Sequence, residues 1–350
     1  MRLGLVTAAL LGLAAPAAGC GGDDDGAEDG SGSDDSDDGG DGGDGDGGDD
    51  GDGGDDGDDG SGASWEALDD LPAGAVQETA VVALDGSIYV IGGIGSLSGV
   101  LVYDTEADKW SEGPALPIGV HHANAAVVDG TIYVVGALLE DFSPIGDVWS
   151  WTPGDEAWAE HTSMPSGTER GASSVGVVDG RIIVAGGLAG ESVDTVSAYD
   201  PAGDSWDGEL PALPARIDHG TGQSVDGVFY AIGGRTDGFS GNTDAVYALV
   251  DGAWGERAPM PTARGGIGSG VVDGTIVVVG GEGNTEADSG VFPQSELYDP
   301  AADEWSELPD MTTPRHGMGT AAVGNALHVP GGATVMGFGA VATHEVLRLP

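Results

Sequence analysis

The stretch VVDGRIIVAGGLAGESVDTVSAYDPAGDSW, from Val177 to Trp206, contains the features that decide the fold. Two apolar runs are joined by Asp179-Gly180, and a Gly-Gly pair ends the second run. Asp-Gly supplies the positive φ angles that a two-residue hairpin turn requires. Tyr199 then precedes Trp206 by seven positions. The stretch therefore predicts four short β-strands.

The same landmarks recur along most of the chain. The Gly-Gly pair is found at Gly92-Gly93, Gly186-Gly187, Gly233-Gly234, Gly280-Gly281 and Gly331-Gly332, with Gly136-Ala137 as a degenerate sixth copy. The tryptophan is found at Trp65, Trp110, Trp158, Trp206, Trp254 and Trp305, in steps of 45 to 51 residues. A period of this length is typical of solenoids and propellers.

The run after each hairpin turn is almost entirely apolar, as in IIVAGG and IVVVGG. Such a run predicts a strand that is buried on both faces between neighbouring sheets. A single four-stranded sheet cannot bury both of its faces, so the sheets must stack as blades around a ring.

The hydrophobic run, the Gly-Gly pair and the spaced tyrosine and tryptophan resemble the kelch family. The resemblance covers residues 63–350 and implies an all-β, six-bladed kelch-type β-propeller with four antiparallel strands in each blade. It specifies function weakly, because the same architecture serves enzymes, sugar binders and protein-interaction modules.

The two ends of the repeat region predict how the ring closes. Trp65 comes before any Gly-Gly unit, whereas the last unit ends at Pro350 without a tryptophan. Five blades are complete in sequence and the sixth lacks its outer strand. We expect the strand around Trp65 to supply it.

Residues 1–19 are typical of a signal peptide. Arg2 is followed by an apolar stretch that is short for a transmembrane span, and small residues lead to Cys20. This arrangement resembles a bacterial lipoprotein signal, although Ala17 stands where that signal usually has leucine. The resemblance implies lipidation of Cys20, and Gly21 favours the outer membrane if the cell has one. An ordinary secretory signal with an incidental cysteine is the alternative.

Residues 20–62 are predicted to be a disordered tether between the lipid anchor and the propeller. The segment 21–62 contains 19 acidic residues, no basic residue and almost no apolar residue. Clustered aspartates give partial spacing for a calcium loop, but no glutamate closes it at the twelfth position. Diffuse binding of cations is the alternative.

The charge of the chain restricts its partners. The formal net charge is −50, and outside the tether residues 63–350 still carry 41 acidic against 9 basic residues. Nucleic acid and anionic lipid surfaces are therefore poor partners, and we expect no nucleic-acid binding. We expect contact with the membrane only through the lipid anchor, and a monomeric protein.

Several basic residues lie at the predicted entrance of the innermost strands. Arginines and histidines at this place predict a ligand site at the mouth of the central channel, since guanidinium groups suit carboxylates and sugars. The candidate binding residues are Arg170, Arg216, Arg264, Arg315, His121, His219 and His316. The alternative role for each arginine is to anchor a loop through backbone carbonyls.

Catalytic signatures are few. The lone cysteine at position 20 excludes the Tyr-Cys copper site of the kelch radical oxidases, and aspartate-box turns of sialidases are missing. A sugar epimerase or mutarotase would need an acid and a base, for which Glu169, Asp218 or His219 could serve. His121 and His122, as neighbours on a strand, would point to opposite faces, so no metal site and no cofactor is expected.

The sequence therefore predicts an exported, lipid-anchored propeller that binds a glycan or a protein at the cell surface, without an assigned catalytic residue. An epimerase or mutarotase of acidic sugars, resembling the exported kelch enzymes of sialic acid metabolism, is the alternative. A purely structural surface protein is a third interpretation.

Overall fold

Each predicted repeat folds into one four-stranded antiparallel sheet. The computed structural model describes residues 62–207, 210–236 and 238–350, and in these ranges the regular elements are β-strands arranged in six sheets. The predicted six-bladed propeller is therefore confirmed. The predicted signal peptide, Cys20 and the tether, apart from Gly62, lie outside the described residues.

Blades 1 to 3 follow one another along the chain, and the strands of each run from the innermost to the outermost. Blade 1 consists of β2 (Ala80–Leu84), β3 (Ser87–Ile91), β4 (Val100–Asp104) and β5 (Lys109–Glu112). Blade 2 consists of β6 (Ala125–Val128), β7 (Thr131–Leu138), β8 (Pro144–Trp151) and β9 (Ala159–His161). Blade 3 consists of β10 (Ser174–Val178), β11 (Arg181–Ala185), β12 (Val196–Asp200) and β13 (Ser205–Asp207).

Blades 4 and 5 repeat this order, and blade 6 departs from it. Blade 4 consists of β14 (Thr221–Val225), β15 (Val228–Ile232), β16 (Val246–Val250) and β17 (Ala253–Glu256). Blade 5 consists of β18 (Gly268–Val272), β19 (Thr275–Val279), β20 (Ser295–Asp299) and β21 (Glu304–Leu308). Blade 6 consists of β22 (Ala321–Val323), β23 (Ala326–Pro330), β24 (His344–Arg348) and, as its outer strand, β1 (Ser64–Leu68).

The pairing of β1 with β24 confirms the predicted closure of the ring. The two strands are antiparallel, with Ser64 opposite Arg348 and Leu68 opposite His344. The Arg348 guanidinium also donates a hydrogen bond of 2.6 Å to the Glu66 carboxylate. The first and the last strands of the propeller thus belong to the same sheet.

The hairpin turns adopt the backbone that the Asp-Gly pairs predicted. In blade 3, Val178 pairs with Arg181, and Asp179 and Gly180 between them have φ angles of +50° and +74°. Positive φ at both turn residues is the type I′ geometry, which matches the twist of the two strands. The turns therefore fix the register between the first two strands.

The second strand of each blade is buried on both faces, as the apolar runs predicted. In β19, the side chains from Ile276 to Val279 are all fully inaccessible to solvent. They pack between neighbouring blades, where the hydrophobic clusters of the molecule lie. Burial between blades, rather than within one blade, therefore forms the core.

The six repeated tryptophans connect neighbouring blades. Each indole N–H donates a hydrogen bond of 2.8 to 3.1 Å to a backbone carbonyl that follows the outer strand of the preceding blade. The pairs are Trp65–Pro309, Trp110–Asp69, Trp158–Pro114, Trp206–Thr162, Trp254–Pro211 and Trp305–Ala258. Because Trp65 takes part, this contact is continuous around the ring.

No helix in the described part of the chain has the length and apolar character needed to cross a bilayer.

Candidate functional site

A central channel of about 490 Å³ runs between the inner strands of the six blades. Its wall consists mainly of small side chains such as alanine, glycine, serine and valine. Among the described residues that line it, Glu78, His122 and His219 are the ionisable ones. All three lie at the same mouth of the channel, just before an inner strand begins.

These residues belong to a ring of six equivalent positions, which we call the neck ring. Its members are Glu78, His122, Ala172, His219, Gly266 and Gly317. The amide of each member donates to the carbonyl of the member in the preceding blade, with N···O distances of 2.5 to 3.0 Å, so the hydrogen bonds form a closed circle. All six residues have φ angles between +51° and +68°. The circle therefore fixes where six side chains enter the channel.

Three neck-ring side chains meet at this mouth of the channel. The Nε2 atom of His122 lies 3.0 Å from Oε2 of Glu78 and 3.0 Å from Nε2 of His219. One donor atom from each of the three residues lies within 4.8 Å of the others. Two imidazoles and a carboxylate from three different blades thus form one compact cluster, which we call the neck triad.

A second layer of charged side chains supports the neck triad. Nδ1 of His219 lies 2.5 Å from Oδ1 of Asp218, and Arg235 donates to the same carboxylate over 3.3 Å. Arg235 also forms an ion pair with Glu282, whose other oxygen accepts the Gly337 amide over 3.0 Å. The buried positive charge of Arg235 is thus shared by two carboxylates.

The surroundings shift the pKa values of this cluster. Burial raises the pKa of Glu78, but the imidazoles of His122, His219 and His316 outweigh that effect and hold its pKa far below the usual range. Burial also raises the pKa of Asp218, but its interactions with His219, Ser192 and Arg235 together outweigh burial and lower that pKa. Burial lowers the pKa of His219, assisted by Arg235 and His122. The surroundings therefore favour the ionised forms of Glu78 and Asp218 and disfavour protonation of His219.

Exposed phenylalanines surround this mouth. They lie on the loops between the second and third strands of blades 2, 4 and 6: Phe142, Phe239 and Phe338, at 41, 45 and 69% exposure. The Phe142 ring lies 5.8 Å from the His122 ring, and the Arg235 guanidinium stacks 4.5 Å over Phe239. Polar groups at the centre and apolar rings at the rim therefore form one concave surface.

Three of the predicted binding arginines do not reach this surface, which corrects their proposed convergence on the channel mouth. Arg170, Arg264 and Arg315 are 1, 0 and 0% exposed and lie inside blades 3, 5 and 6. Each donates to backbone carbonyls of its own blade, and two also pair with buried carboxylates, Glu296 and Glu345. The contacts support the alternative role, in which each arginine anchors a loop.

Arg216 has a different position. Its side chain is 59% exposed and lies 3.4 Å from the exposed Glu191. It precedes its hairpin turn by ten residues instead of nine, so it is one residue out of phase with the other arginines. This offset turns it away from the interior position that the other three occupy.

The predicted histidines do gather at the mouth. His219 is a member of the neck triad, and His121 supports it, since its Nδ1 lies 2.5 Å from Nδ1 of His122. His316 donates through Nε2 to the Val335 carbonyl over 2.9 Å, and its Nδ1 lies 3.4 Å from Glu282. The structure thus brings these histidines together, whereas Arg170, Arg264 and Arg315 lie inside the blades.

Sequence reasoning missed Glu78, Arg235 and Glu282, and it assigned no ligating role to His122. The assumption that His121 and His122 alternate on a strand fails because His122 has a φ angle of +51° and precedes its strand. A usable signal was present, since every neck-ring residue stands seven positions before the first residue of its hairpin turn.

Comparison with known proteins agrees with this architecture. A model of the kelch motif matches residues 78–117, 169–207 and 263–312. The Kelch-like protein terF of Aspergillus terreus is 32% identical over 300 residues, which are 78% of this chain and 65% of that protein. Kelch-like protein 35 of Mus musculus is 32% identical over 158 residues, or 43% of this chain and 25% of its own length.

A solved structure described as the structure of YjhT has a TM-score of 0.67 at 18% sequence identity, covering 80% of this chain and 96% of that one. At this identity the likeness concerns the fold alone. The chain spans a little under two thirds of terF and about a quarter of Kelch-like protein 35.

The six blades and these matches together support the kelch-repeat family, as the motifs in the sequence implied. The fold is that of a kelch-type β-propeller, which is consistent with a binding module.

Proposed function

We propose that this chain is an exported, lipid-anchored kelch propeller that binds a carbohydrate at the cell surface through the mouth formed by the neck triad and the phenylalanine loops. One observation carries the proposal: buried polar groups at the centre of the mouth are surrounded by exposed aromatic rings. Sugars present hydroxyl groups and apolar C–H faces together, so they match both parts of such a surface.

The charge of the mouth favours a neutral or amino sugar over an acidic one. Arg235 is already paired with Asp218 and Glu282, and residues 63–350 carry a large excess of acidic side chains. An incoming carboxylate would meet this negative potential without a free guanidinium to compensate. Of the arginines that were expected to hold a carboxylate, Arg170, Arg264 and Arg315 lie inside the blades, and the exposed Arg216 is already paired with Glu191.

Binding of neutral and amino-sugar glycans to the full chain tests the proposal, by glycan array followed by calorimetry. Phe239→Ala, which removes one apolar face of the mouth, should weaken binding about tenfold or more, the usual range for loss of an aromatic anchor. Val250→Ser is the matched control, because Val250 is also exposed but ends β16 at the opposite side of the blade.

Equal affinities for the two variants would remove the mouth as the binding surface. Failure of every glycan to bind, with specific capture of a protein that Phe239→Ala abolishes, would replace the sugar by a protein partner.

An epimerase or mutarotase is the second candidate, and the pairing of His219 with Asp218 favours it. A histidine oriented by a carboxylate, with Glu78 on the opposite side of the triad, provides groups for proton transfer. Exchange between sugar anomers, followed by NMR, should be accelerated by the wild type and not by His219→Gln. If the wild type binds sugar but does not accelerate this exchange, the binding function stands and the epimerase or mutarotase candidate is refuted.

Anchoring at Cys20 remains part of the proposal. Substituting Cys20→Ser should move the protein from the membrane fraction into the soluble fraction and abolish incorporation of labelled fatty acid. If the membrane fraction retains the variant, the lipid anchor is refuted and an ordinary secretory signal becomes the explanation.

A further inference from the structure

We propose that the neck triad of Glu78, His122 and His219 binds one divalent first-row transition metal ion, such as Zn(II). The inference goes beyond carbohydrate binding and does not depend on it. It is based on donor geometry, on the support of the histidines and on the construction of the neck ring.

The donor atoms have the spacing of ligands that share one ion. Metal–ligand distances of about 2.0 to 2.2 Å place neighbouring donors roughly 3.0 to 3.5 Å apart. The two contacts of His122 Nε2, with Glu78 and with His219, are 3.0 Å each. The three donor atoms lie within 4.8 Å of one another, so a small rotation of the side chains is enough to surround an ion.

The tautomer of His219 is suited to metal binding. An ionised carboxylate only accepts hydrogen bonds, so Asp218 at 2.5 Å requires the proton of His219 on Nδ1. Nε2 is therefore left with its lone pair directed at the triad. A carboxylate behind a ligating histidine is the usual outer partner at metal sites, where it orients the ring and increases its basicity.

His122 has an equivalent support. Its Nδ1 lies 2.5 Å from Nδ1 of His121, which accepts the Nδ1–H when Nε2 of His122 donates its lone pair to a metal. The His121 ring is in turn packed edge-on against Phe142, with centroids 4.6 Å apart. Both imidazoles of the triad are thus held from behind.

The donor set selects the type of ion. Two imidazole nitrogens and one carboxylate suit Zn(II) and Fe(II), whereas Ca(II) and Mg(II) prefer sites made only of oxygen donors. Three protein ligands leave at least one coordination position for water or a ligand hydroxyl. Because the triad lines the channel, that position is reached from a space of about 490 Å³.

The neck ring makes the site rigid. Each ligand comes from a residue whose backbone is held by two hydrogen bonds of the closed circle. Gly317, the neighbour of Glu78 in the ring, also leaves room for the ligand, since a methyl group there would overlap the Glu78 carboxylate. A preformed site of this kind loses little conformational entropy when the ion binds.

Competition for Zn(II) with a chromophoric chelator tests the proposal. The full chain should carry Cys20→Ser, which removes the sole thiol, and excess Mg(II) should occupy the tether carboxylates. We expect one tightly bound Zn(II) per chain, and affinity at least about 100-fold lower in Glu78→Gln and in His219→Gln. His161→Gln is the matched control, because that imidazole contacts Ser150 and the outer-strand region of blade 3, away from the channel.

Two alanine variants at neck-ring glycines distinguish a specific loss of metal binding from a general loss of stability. Gly317→Ala should displace Glu78 and weaken Zn(II) binding, whereas Gly266→Ala, at the equivalent position of blade 5 with a similar positive φ, keeps Glu78 in place and should retain it. Thermal unfolding should show similar, small losses of stability for the two variants.

The proposal is overturned if the wild type takes Zn(II) no better than Glu78→Gln, or if His161→Gln loses as much affinity. Tight Zn(II) binding without any sugar binding would refute only the carbohydrate proposal. Sugar binding in a protein that does not take Zn(II) would refute only the metal site.

Discussion

Blades 3, 5 and 6 and blades 1, 2 and 4 use the same two positions in opposite ways. The residue two places before the neck ring is a buried arginine in the first group, which comprises Arg170, Arg264 and Arg315, and an aliphatic residue in the second, which comprises Val76, Val120 and Ile217. The neck residue is small in the first group and ionisable in the second. The first group of blades thus carries the buried arginines that anchor loops, and the second group carries the ionisable residues of the site.

The third strand explains why the arginines occur where they do. Its second residue is polar in the arginine blades, as with Glu296 and Glu345, and it receives the guanidinium. In blades 1 and 4 the same place is taken by Leu101 and Tyr247, which offer no carboxylate. A buried arginine requires polar partners, because an unpaired buried charge is costly; in blade 3 the carbonyls of Gly186 and Val184 and the Ser197 hydroxyl serve Arg170.

The small neck residues of the arginine blades make room for the neck triad. His122 and His219 belong to blades 2 and 4, and only the methyl group of Ala172 lies between them in the ring. Their Nε2 atoms can therefore approach to 3.0 Å across blade 3. The difference between the two groups shows how a symmetric scaffold acquires a site. Small side chains at some equivalent positions leave room for ionisable side chains at the others.

The largest effect should come from the arginine position. In Arg315→Ala the buried Glu345 loses its charged partner, and we expect a loss of about 3 to 5 kcal/mol in the free energy of unfolding, measured by urea titration at neutral pH. Arg315→Met/Glu345→Leu should recover most of this loss, since neither charge then remains buried alone. A stable Arg315→Ala variant with weakened ligand binding would show that Arg315 acts in ligand binding at the mouth and not as a loop anchor.

An intermediate effect should come from two histidines inside blade 6. Burial lowers the pKa of His328 to about 4 and that of His344 to about 3. Below pH 6.5 the unfolded chain therefore binds more protons than the folded chain, which favours unfolding. Above that pH both histidines are neutral in both states, and the stability is not reduced. It should decrease as pH falls below 6.5, by about 3 kcal/mol at pH 5.5 for the two histidines together.

Urea titrations between pH 7 and pH 4 measure this effect. His328→Leu/His344→Phe should show a flatter decline than the wild type, and His161→Gln should follow the wild type. Parallel curves for all three proteins would show that other groups cause the acid sensitivity.

The smallest effect on stability should come from the neck triad. Glu78→Ala/His122→Ala gives blades 1 and 2 the side chain that blade 3 already carries at Ala172 with a φ angle of +52°. We expect a change of at most about 1 kcal/mol in the free energy of unfolding, with loss of binding at the mouth. A loss as large as that of Arg315→Ala would mean that the triad also holds the ring together.

The sequence predicted the scaffold better than the site. The Asp-Gly turns, the Gly-Gly pairs and the position of Trp65 specify backbone geometry locally, and they predicted the blades and the closure of the ring. The site depends on contacts across blades, as between His122 and His219, which are 97 residues apart. Only a comparison of equivalent positions, seven before each turn, brings such residues together.

The arginines were misjudged for a related reason. Their nine-residue spacing from the turns correctly indicated one repeated position, but periodicity alone does not tell which side of the backbone faces the channel. Two residues further on, the chain enters the neck ring with a positive φ angle. Arg264 therefore lies inside the blade, whereas Gly266 lines the channel. The exception, Arg216, differed by one residue in the sequence, and that residue decides between burial and exposure.

The shared sheet of blade 6 has a consequence for the order of folding. The Glu66–Arg348 pair joins residues 282 positions apart, so β1 is synthesised long before β24, its partner strand. Contacts of such long range form slowly, because a large loop must close first. Until β24 pairs with β1, the sheet of blade 6 is incomplete and β1 is an open edge available to other chains. The pairing of β1 with β24, rather than the folding of any single blade, therefore removes this open edge.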